Sequence, residues 1–326
     1  MSNFAPGKDR LEYRHLRLLD PKCKILAKMF RHCFDAKNVP AEWKTATTIL
    51  IHKKEDTSDA SNFRPIALMS CLCKLLMAIL AKRMTSFSLH HDLHSNEQKS
   101  ARPREGCYEH NFLLESIVND ARRQPRSLCL AWLDVRNASG SIPHDALLTT
   151  LSHMGFPPDL VEMIGHIYTG ATTEVVTPLG KTQSIPIHSN VKQGCPLSVT
   201  LFNLSVELII RRCIAKAHEL PRGSLQHHGQ AISILAYADN LVILTRNKDS
   251  LQTLLDAVSS AADSLSLQFR PDKCTSLSMD KHAPLPVKPV CCPMRTYTCP
   301  QTRRPLSIPW YTHWPHPGCV RSSNTH

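Results

Sequence analysis

The sequence predicts an α+β fold, with short strands that deliver acidic residues at their ends and amphipathic helices packed behind them. Three observations carry this. Residues 128–135 form an apolar run that delivers Asp134 at its end. Residues 232–245 form two β-prone apolar runs around a tight polar break at Ala238-Asp239-Asn240, which is a hairpin signal with an acid at the tip. Elsewhere apolar residues recur every three or four positions, the period of a helix with one buried face.

In chain order, Ile25, Leu26, Met29, Phe30 and Phe34 stand at helical spacing and predict a first helix, ended by Pro40 and Trp43. Residues 45–52 read as a strand leading into the basic pair Lys53-Lys54, and residues 55–61 as a polar loop. An apolar helical pattern spans 65–89 through Leu68, Leu72, Leu75, Leu76, Ile79 and Leu80. The polar stretch 90–107 precedes a helix marked by Phe112, Leu113, Ile117, Val118 and Ala121. After the strand to Asp134 come helical segments around 147–154 and 160–168, then a hairpin over 175–187 turning at Leu179-Gly180-Lys181. Pro196 sits where a first helical turn tolerates proline, and Leu197, Leu201, Leu204, Leu208 and Cys213 mark the buried face of the helix it opens. Beyond the Asp239 hairpin, Leu251, Leu254, Leu255, Val258, Ala261 and Leu265 predict another amphipathic helix.

The composition changes at about Lys281. The last 46 residues hold nine prolines, four cysteines and no Asp or Glu, and no hydrophobic period survives. Residues 280–326 are therefore expected to be a disordered Pro/Cys-rich tail. Cys291, Cys292, Cys299, His313, His316 and Cys319 are zinc-ligand types, but the adjacent cysteine pair and the lack of a Cys-x-x-Cys spacing argue against a zinc site.

A length of 326 residues suits one large or two ordinary domains. The formal charge of +12 suits a polyanionic partner, although a merely basic soluble protein has the same balance. No apolar stretch reaches membrane-spanning length and no N-terminal signal pattern is present, so the expectation is an intracellular, non-secreted protein with no membrane partner. The thirteen cysteines then read as reduced thiols, with Cys71, Cys73, Cys129 and Cys213 as small core residues inside apolar runs.

Two carboxylates at the ends of buried strands, Asp134 and Asp239, are an arrangement that holds divalent metals for phosphoryl chemistry. Alone, Asp239 also reads as a turn former and Asp134 as a strand-end cap. The surrounding residues carry a resemblance. Tyr237-Ala238-Asp239-Asn240 resembles the Tyr-x-Asp-Asp box of reverse transcriptases, with the last Asp replaced by Asn. Leu133-Asp134-Val135-Arg136-Asn137-Ala138-Ser139-Gly140-Ser141-Ile142-Pro143-His144 resembles the first palm motif of non-LTR retrotransposon reverse transcriptases. Gln193-Gly194-Cys195-Pro196-Leu197-Ser198 with Leu201-Phe202-Asn203 resembles their Gln-Gly box. Asn62-Phe63-Arg64-Pro65-Ile66 with Lys74 resembles their fingers motif. The four stand in the family's order over roughly residues 20–279, with a particular likeness to the site-specific elements that insert into ribosomal RNA genes.

The resemblance implies a right-hand polymerase: an N-terminal helical extension over 1–40, mainly helical fingers over 41–127, and a palm over 128–279 whose antiparallel sheet is backed by helices. The tail stands where the family places a thumb, so the thumb is expected to be missing, as in a truncated or frameshifted copy. The implied activity is RNA-directed DNA polymerisation on an RNA template and DNA primer, with dNTPs and two Mg2+ or Mn2+ ions. Asp134 and Asp239 match the catalytic, metal-holding acids, Val135 would supply a backbone carbonyl, and Asn240 takes the place of a third carboxylate. Lys273, within Phe269-Arg270-Pro271-Asp272-Lys273-Cys274, resembles a later palm lysine that protonates the leaving pyrophosphate, and reads equally as a solvated surface lysine. Lys53 and Arg64 resemble the triphosphate contacts of the fingers, though each alone reads as a surface charge. Gln193 and Gly194 resemble the segment beside the template–nucleotide pair, where glycine allows close backbone approach; a plain loop-to-helix junction would also use them.

Two departures bear on activity. Asn240 keeps a carbonyl oxygen but removes one negative charge beside the metals. Ser139 stands where the family usually has Phe or Tyr under the nucleotide sugar, which leaves a gap in place of the wall against a 2′ hydroxyl. The expectation is an impaired reverse transcriptase, with a non-catalytic RNA- or DNA-binding remnant of a retroelement as the alternative.

Overall fold

A computed structural model of the protein describes residues 6–53, 56–59, 62–100, 106–124, 126–136, 142–187 and 194–279. Ser139, Gln193 and the tail from 280 onward lie outside the described residues. The chain opens with α1 (Tyr13–Leu19), α2 (Lys24–Asp35) and the single turn α3 (Ala41–Lys44). The Asp20 carboxylate starts α2 by accepting from the Lys24 and Leu26 backbone N–H groups at 2.9 and 2.8 Å, which satisfies donors that an open helix end leaves unpaired. Strands β1 (Thr45–His52) and β2 (Phe63–Leu68) follow, then the long helices α4 (Cys71–His90) and α5 (Gly106–Arg123). Next come β3 (Leu128–Arg136), α6 (His144–His153) and α7 (Pro158–Tyr168), and the short strands β4 (Thr172–Thr177), β5 (Gly180–Lys181) and β6 (Ile185–Pro186). Helix α8 (Pro196–Glu219) leads to β7 (Leu225–His227), β8 (Gln230–Ile232), β9 (Ile234–Tyr237) and β10 (Asn240–Thr245), and the described chain ends with α9 (Lys248–Ser264), β11 (Gln268–Phe269) and β12 (Thr275–Met279).

These strands build two main sheets and a small hairpin. In the first sheet β1 pairs antiparallel with β2 and parallel with β4, and both β5 and β6 pair with β4. In the second, β3 is central. One edge of β3 pairs with β10, which turns back into β9; the other pairs with β11 and β12. Residues 97–99 extend this sheet at β9, where the Ala236 N–H donates to the Glu97 carbonyl and the Lys99 N–H donates to the Ala236 carbonyl.

Strand parity divides the core. Cys129, Ala131, Leu133 and Val135 of β3, with Leu241 and Ile243 of β10, belong to the large core that includes Leu76, Leu201 and Leu254 from helices α4, α8 and α9. The alternate residues Leu128, Leu130 and Trp132, with Val242 and Leu244, face a second core completed by Leu114 and Ile117 of α5 and by Leu225 and Ile232 of the β7–β8 hairpin. A strand buried on both faces reads as a continuous apolar run, and 128–135 does so for this reason.

Several expectations shift. The helical pattern over 65–89 begins as a strand: Phe63–Leu68 pairs with β1, and the helix starts only at Cys71. The hairpin after β4 turns one residue early, since Thr177 pairs with Gly180 and leaves Pro178 and Leu179 as the turn. Helix α8 is covered on most sides, so Val206, Ile209 and Ile210 are fully buried, whereas Leu208 is 36% exposed. All nine described cysteines are free. Among the described residues no helix is long and apolar enough to cross a membrane.

Candidate active site

The β9–β10 hairpin closes through a two-residue turn, with Tyr237 opposite Asn240 and Ala238-Asp239 at the tip. Ala238 takes a left-handed φ of 54°, which an alanine adopts only when its surroundings impose it. The imposing group is Gln98. Its side chain is 1% exposed, and its Oε1 accepts from the Ala238 N–H at 3.1 Å and the Ser100 N–H at 3.0 Å. The Val135 N–H then donates to the Asp239 carbonyl at 3.3 Å, tying the tip to β3.

This bond fixes the geometry of the acids. Asp134 and Asn240 are register partners, and a bond from residue 135 to residue 239 makes them a non-hydrogen-bonded antiparallel pair. Such pairs stand about 4.5 Å apart at Cα, with side chains on one face. Parity agrees, since Asp134 follows Leu130 and Trp132 on the face opposite the large core. Asn240 in turn donates its Nδ2 to the Asp239 Oδ1 at 3.2 Å. A strand residue directs its N–H and C=O to the same edge, so the Val135 carbonyl lies along the edge where β10 turns away at Asp239.

Burial pushes the Asp239 carboxyl above the usual carboxylate range, and the charge of Asp134 pushes the same way; Arg270 and Lys273 oppose both. The loop between β11 and β12 brings these cations in. The Arg270 N–H donates to the Asp134 carbonyl at 2.8 Å, and the Lys273 Nζ lies 3.6 Å from the Asp134 Oδ2. The loop curls because the Lys273 and Cys274 N–H groups both donate to the Arg270 carbonyl.

All the donors on offer, two carboxylates, an amide oxygen and a backbone carbonyl, are oxygens, the set that hard divalent cations select. The two acids crowd each other, and the ammonium of Lys273 sits against one of them as a cation. The donor set therefore fits a divalent metal.

The structure brings Asp134, Val135, Asp239, Asn240 and Lys273 into one place. Lys53 and Arg64 stand apart from them on the first sheet: Arg64 is exposed on β2 opposite Ile51, and the Lys53 N–H donates to the Asn62 carbonyl at 2.8 Å. Gly194 has φ +105°, and a Cβ there would lie 2.9 Å from the Ala67 carbonyl oxygen, so the close approach that needs glycine is to the backbone of β2. Sequence reasoning missed Gln98, which lies in a stretch with no apolar period to betray its burial. It named the Arg270 motif without giving Arg270 a place.

A family model described as reverse transcriptase (RNA-dependent DNA polymerase) matches residues 51–304, continuing past the composition break at Lys281. The chain is 29% identical over 276 residues to the retrovirus-related Pol polyprotein from type-1 retrotransposable element R2 of Nasonia vitripennis, covering 84% of this chain and 26% of that protein. The corresponding protein of Popillia japonica is 30% identical over 277 residues, with 84% and 37% covered. The RNA-directed DNA polymerase from mobile element jockey of Drosophila melanogaster is 26% identical over 283 residues, with 84% and 30% covered. The chain thus spans only 26% to 37% of the length of these relatives. Among solved structures, telomerase from Candida tropicalis with a TWJ fragment of telomeric RNA shares the fold at a TM-score of 0.52 and 12% identity, over 78% of this chain and 44% of that one. The apo telomerase aligns at 0.51, also at 12% identity, over 74% and 44%. A match over more than half of the chain, meeting a palm whose central strand and hairpin tip deliver the paired acids, establishes that this chain belongs to the reverse transcriptase (RNA-dependent DNA polymerase) family, as a domain of the non-LTR retrotransposon kind.

Proposed function

We propose that the chain is the fingers and palm of a retroelement polymerase that adds deoxynucleotides to a DNA primer on an RNA template, and that Asn240 impairs turnover in this copy. The observation that carries the reading is Asp134 in register with Asn240 beside the half-buried Asp239, with the Lys273 Nζ 3.6 Å from the Asp134 Oδ2. Asp134, Asp239 and the Val135 carbonyl would hold Mg2+, or Mn2+ in its place, and Asn240 would add an amide oxygen. Bound there, such ions activate a primer 3′ hydroxyl and offset triphosphate charge. The chain's own residues supply the rest. Gln98 and the Val135 N–H hold the tip of the hairpin, and so hold Asp239 at a fixed height over β3. Lys273, whose Nζ lies 3.6 Å from the Asp134 Oδ2, is assigned the role of giving a proton to departing pyrophosphate. The resemblance assigns Lys53 and Arg64 to triphosphate or backbone phosphates and Gly194 to the templating pair; its assignments for Gln193 and Ser139 fall outside the described residues.

The test is primer extension by the purified chain on an RNA template with dNTPs and Mg2+ or Mn2+. The expected result is weak extension by the native protein, faster extension by Asn240→Asp, and loss of that gain on adding Asp239→Ala. Extension by the native chain that Asn240→Asp does not accelerate would refute the impairment.

The same Asn240 favours a second reading, a binder that keeps phosphate contacts without turnover. It becomes the better reading if neither protein extends a primer while the chain still binds RNA–DNA hybrid. There, Arg64→Ala should lower the slope of log affinity against log salt by about 0.7 to 0.9, and Asp134→Ala should not weaken binding.

A further inference from the structure

At the end of the second sheet remote from the paired acids, three further ligand-type side chains meet. Asp120 lies in the last turn of α5, His227 ends β7, and His228 begins the turn to β8. One ligand atom from each falls within 4.8 Å of the other two. We infer that Asp120, His227 and His228 form a binding site for a transition-metal dication of the zinc class, bridging α5 and the β7–β8 hairpin.

The geometry supports this edge by edge. The His227 Nδ1 lies 3.3 Å from the Asp120 Oδ2. Two ligands about 2.0–2.1 Å from a tetrahedral zinc stand roughly 3.4 Å apart, so this pair already has the spacing of two ligands to one ion. The other ring nitrogen of His227, Nε2, is 3.2 Å from the Ser116 hydroxyl one turn earlier on α5. A metal-bound histidine is oriented through its second nitrogen in this way. The His227 and His228 rings stand 4.3 Å apart between centroids, across the start of the β7–β8 turn. His228 and Gly229 have φ of +47° and +79°, the pattern of a type I′ turn, whose first position prefers Asn, Asp or Gly. This tight turn keeps the His228 ring beside that of His227.

The chemistry separates this site from the palm. Two imidazoles and one carboxylate suit Zn2+, Co2+ or Ni2+, whereas the oxygen-only set at Asp134 and Asp239 suits Mg2+. His227 is buried, Asp120 half-exposed and His228 exposed, so an ion reaches the site from solvent without unfolding the hairpin. The fourth position stays open to water. Bound there, the ion staples α5 to the hairpin that closes the second core over Ile117 and Leu225.

The test is equilibrium dialysis of the full chain against Zn2+ and against Co2+, followed by metal analysis, beside Asp120→Ala, His228→Ala and Asp134→Ala. The first two remove side chains at or near the surface, so they do not threaten the fold as a buried substitution would. Each should lose one equivalent of metal, while Asp134→Ala keeps it and an excess of Mg2+ does not displace it. Bound Co2+ should show the visible bands of a tetrahedral nitrogen–oxygen site, lost in His228→Ala. Equal metal content in all proteins overturns the site. So does cobalt that reports only thiolate charge transfer, which assigns the metal to cysteines, and so does loss of the equivalent in Asp134→Ala or on adding Mg2+, which assigns it to the palm.

Discussion

Asn240→Asp is the substitution whose effect follows most directly from the geometry. Residue 240 faces Asp134 across a non-hydrogen-bonded pair and touches the Asp239 Oδ1 through its amide at 3.2 Å. A carboxylate there loses that hydrogen bond and stands ~5 Å from each of two other acids. At an effective dielectric of ~20, each pair of unit charges ~5 Å apart repels by about 3 kcal/mol, so the gross cost is about 6 to 7 kcal/mol. Attraction to one dication ~4 Å away is about 8 kcal/mol on the same scale. In the metal-bound protein the two nearly offset, leaving roughly 1 to 2 kcal/mol in favour of the variant; because the repulsion is present with or without the ion, metal affinity rises by more than that, at least about tenfold. Without metal the cost has no such offset, and the trio takes up a proton or loses stability. The variant should therefore melt several degrees below the native chain in EDTA at neutral pH, recover in Mg2+, and bind Mg2+ at least about ten times more tightly in a thermal-shift titration. Equal melting in EDTA together with equal Mg2+ affinity would show that residue 240 does not share a charge environment with Asp134 and Asp239.

The remaining predictions address the same region. Burial and Asp134 raise the folded-state pKa of Asp239 above its unfolded value, so the folded state binds more protons between the two values and stability falls as pH rises through that window. Asp239→Asn should therefore stabilise the metal-free protein at neutral pH and remove that part of the acid-range slope, measured as denaturation midpoints from about pH 4 upward. Gln98→Ala strips the acceptor from the Ala238 and Ser100 N–H groups, and two buried donors left unmade cost about 1–3 kcal/mol each; urea denaturation should show the loss, and primer extension should fall in an otherwise active Asn240→Asp background. Gly194→Ala forces a Cβ to 2.9 Å from the Ala67 oxygen at φ +105°, which should destabilise by about 1–3 kcal/mol; an unchanged midpoint would mean that the loop does not lie on β2.

Much of this fold was legible because its elements carry strong periods. The run 128–135 and the hairpin around Asp239 are apolar on both faces because both faces are covered, one by α8 and α9, the other by α5 and the small hairpin. The helices of 196–219 and 248–264 announce themselves through Pro196 at the first turn and through the apolar spacing of Leu251, Leu254, Leu255 and Val258; the cap of the second by Asn247, whose side chain accepts from the Ser250 N–H at 2.7 Å, emerges only in the structure. The errors lie where two periods overlap or where an element is short. Leu68 fits both the strand it ends and a helix that starts three residues later, so the apolar count alone ran the two together. Strands β7 and β8 have three residues each, too few for alternation to show, and their His-Gly turn is not a usual hairpin signal.

The site divides along a similar line. Acids at strand ends are visible in one dimension because each strand points to them. Pairing by register is not visible there, and neither is a side chain reaching in from a remote polar segment. Asp134 and Asp239 belong to the first kind, and Gln98 to the second. The Gln98 carboxamide replaces a backbone partner for the tip of the hairpin, and nothing in the residues around it marks a strand-like segment. Yet the left-handed Ala238 depends on that partner, and the height of Asp239 above β3 depends on Ala238. The charge that Asn240 lacks and the turn that Gln98 holds are thus separable contributions to one site. Removing the first changes metal affinity with the hairpin in place, and removing the second moves the hairpin with every oxygen ligand still present.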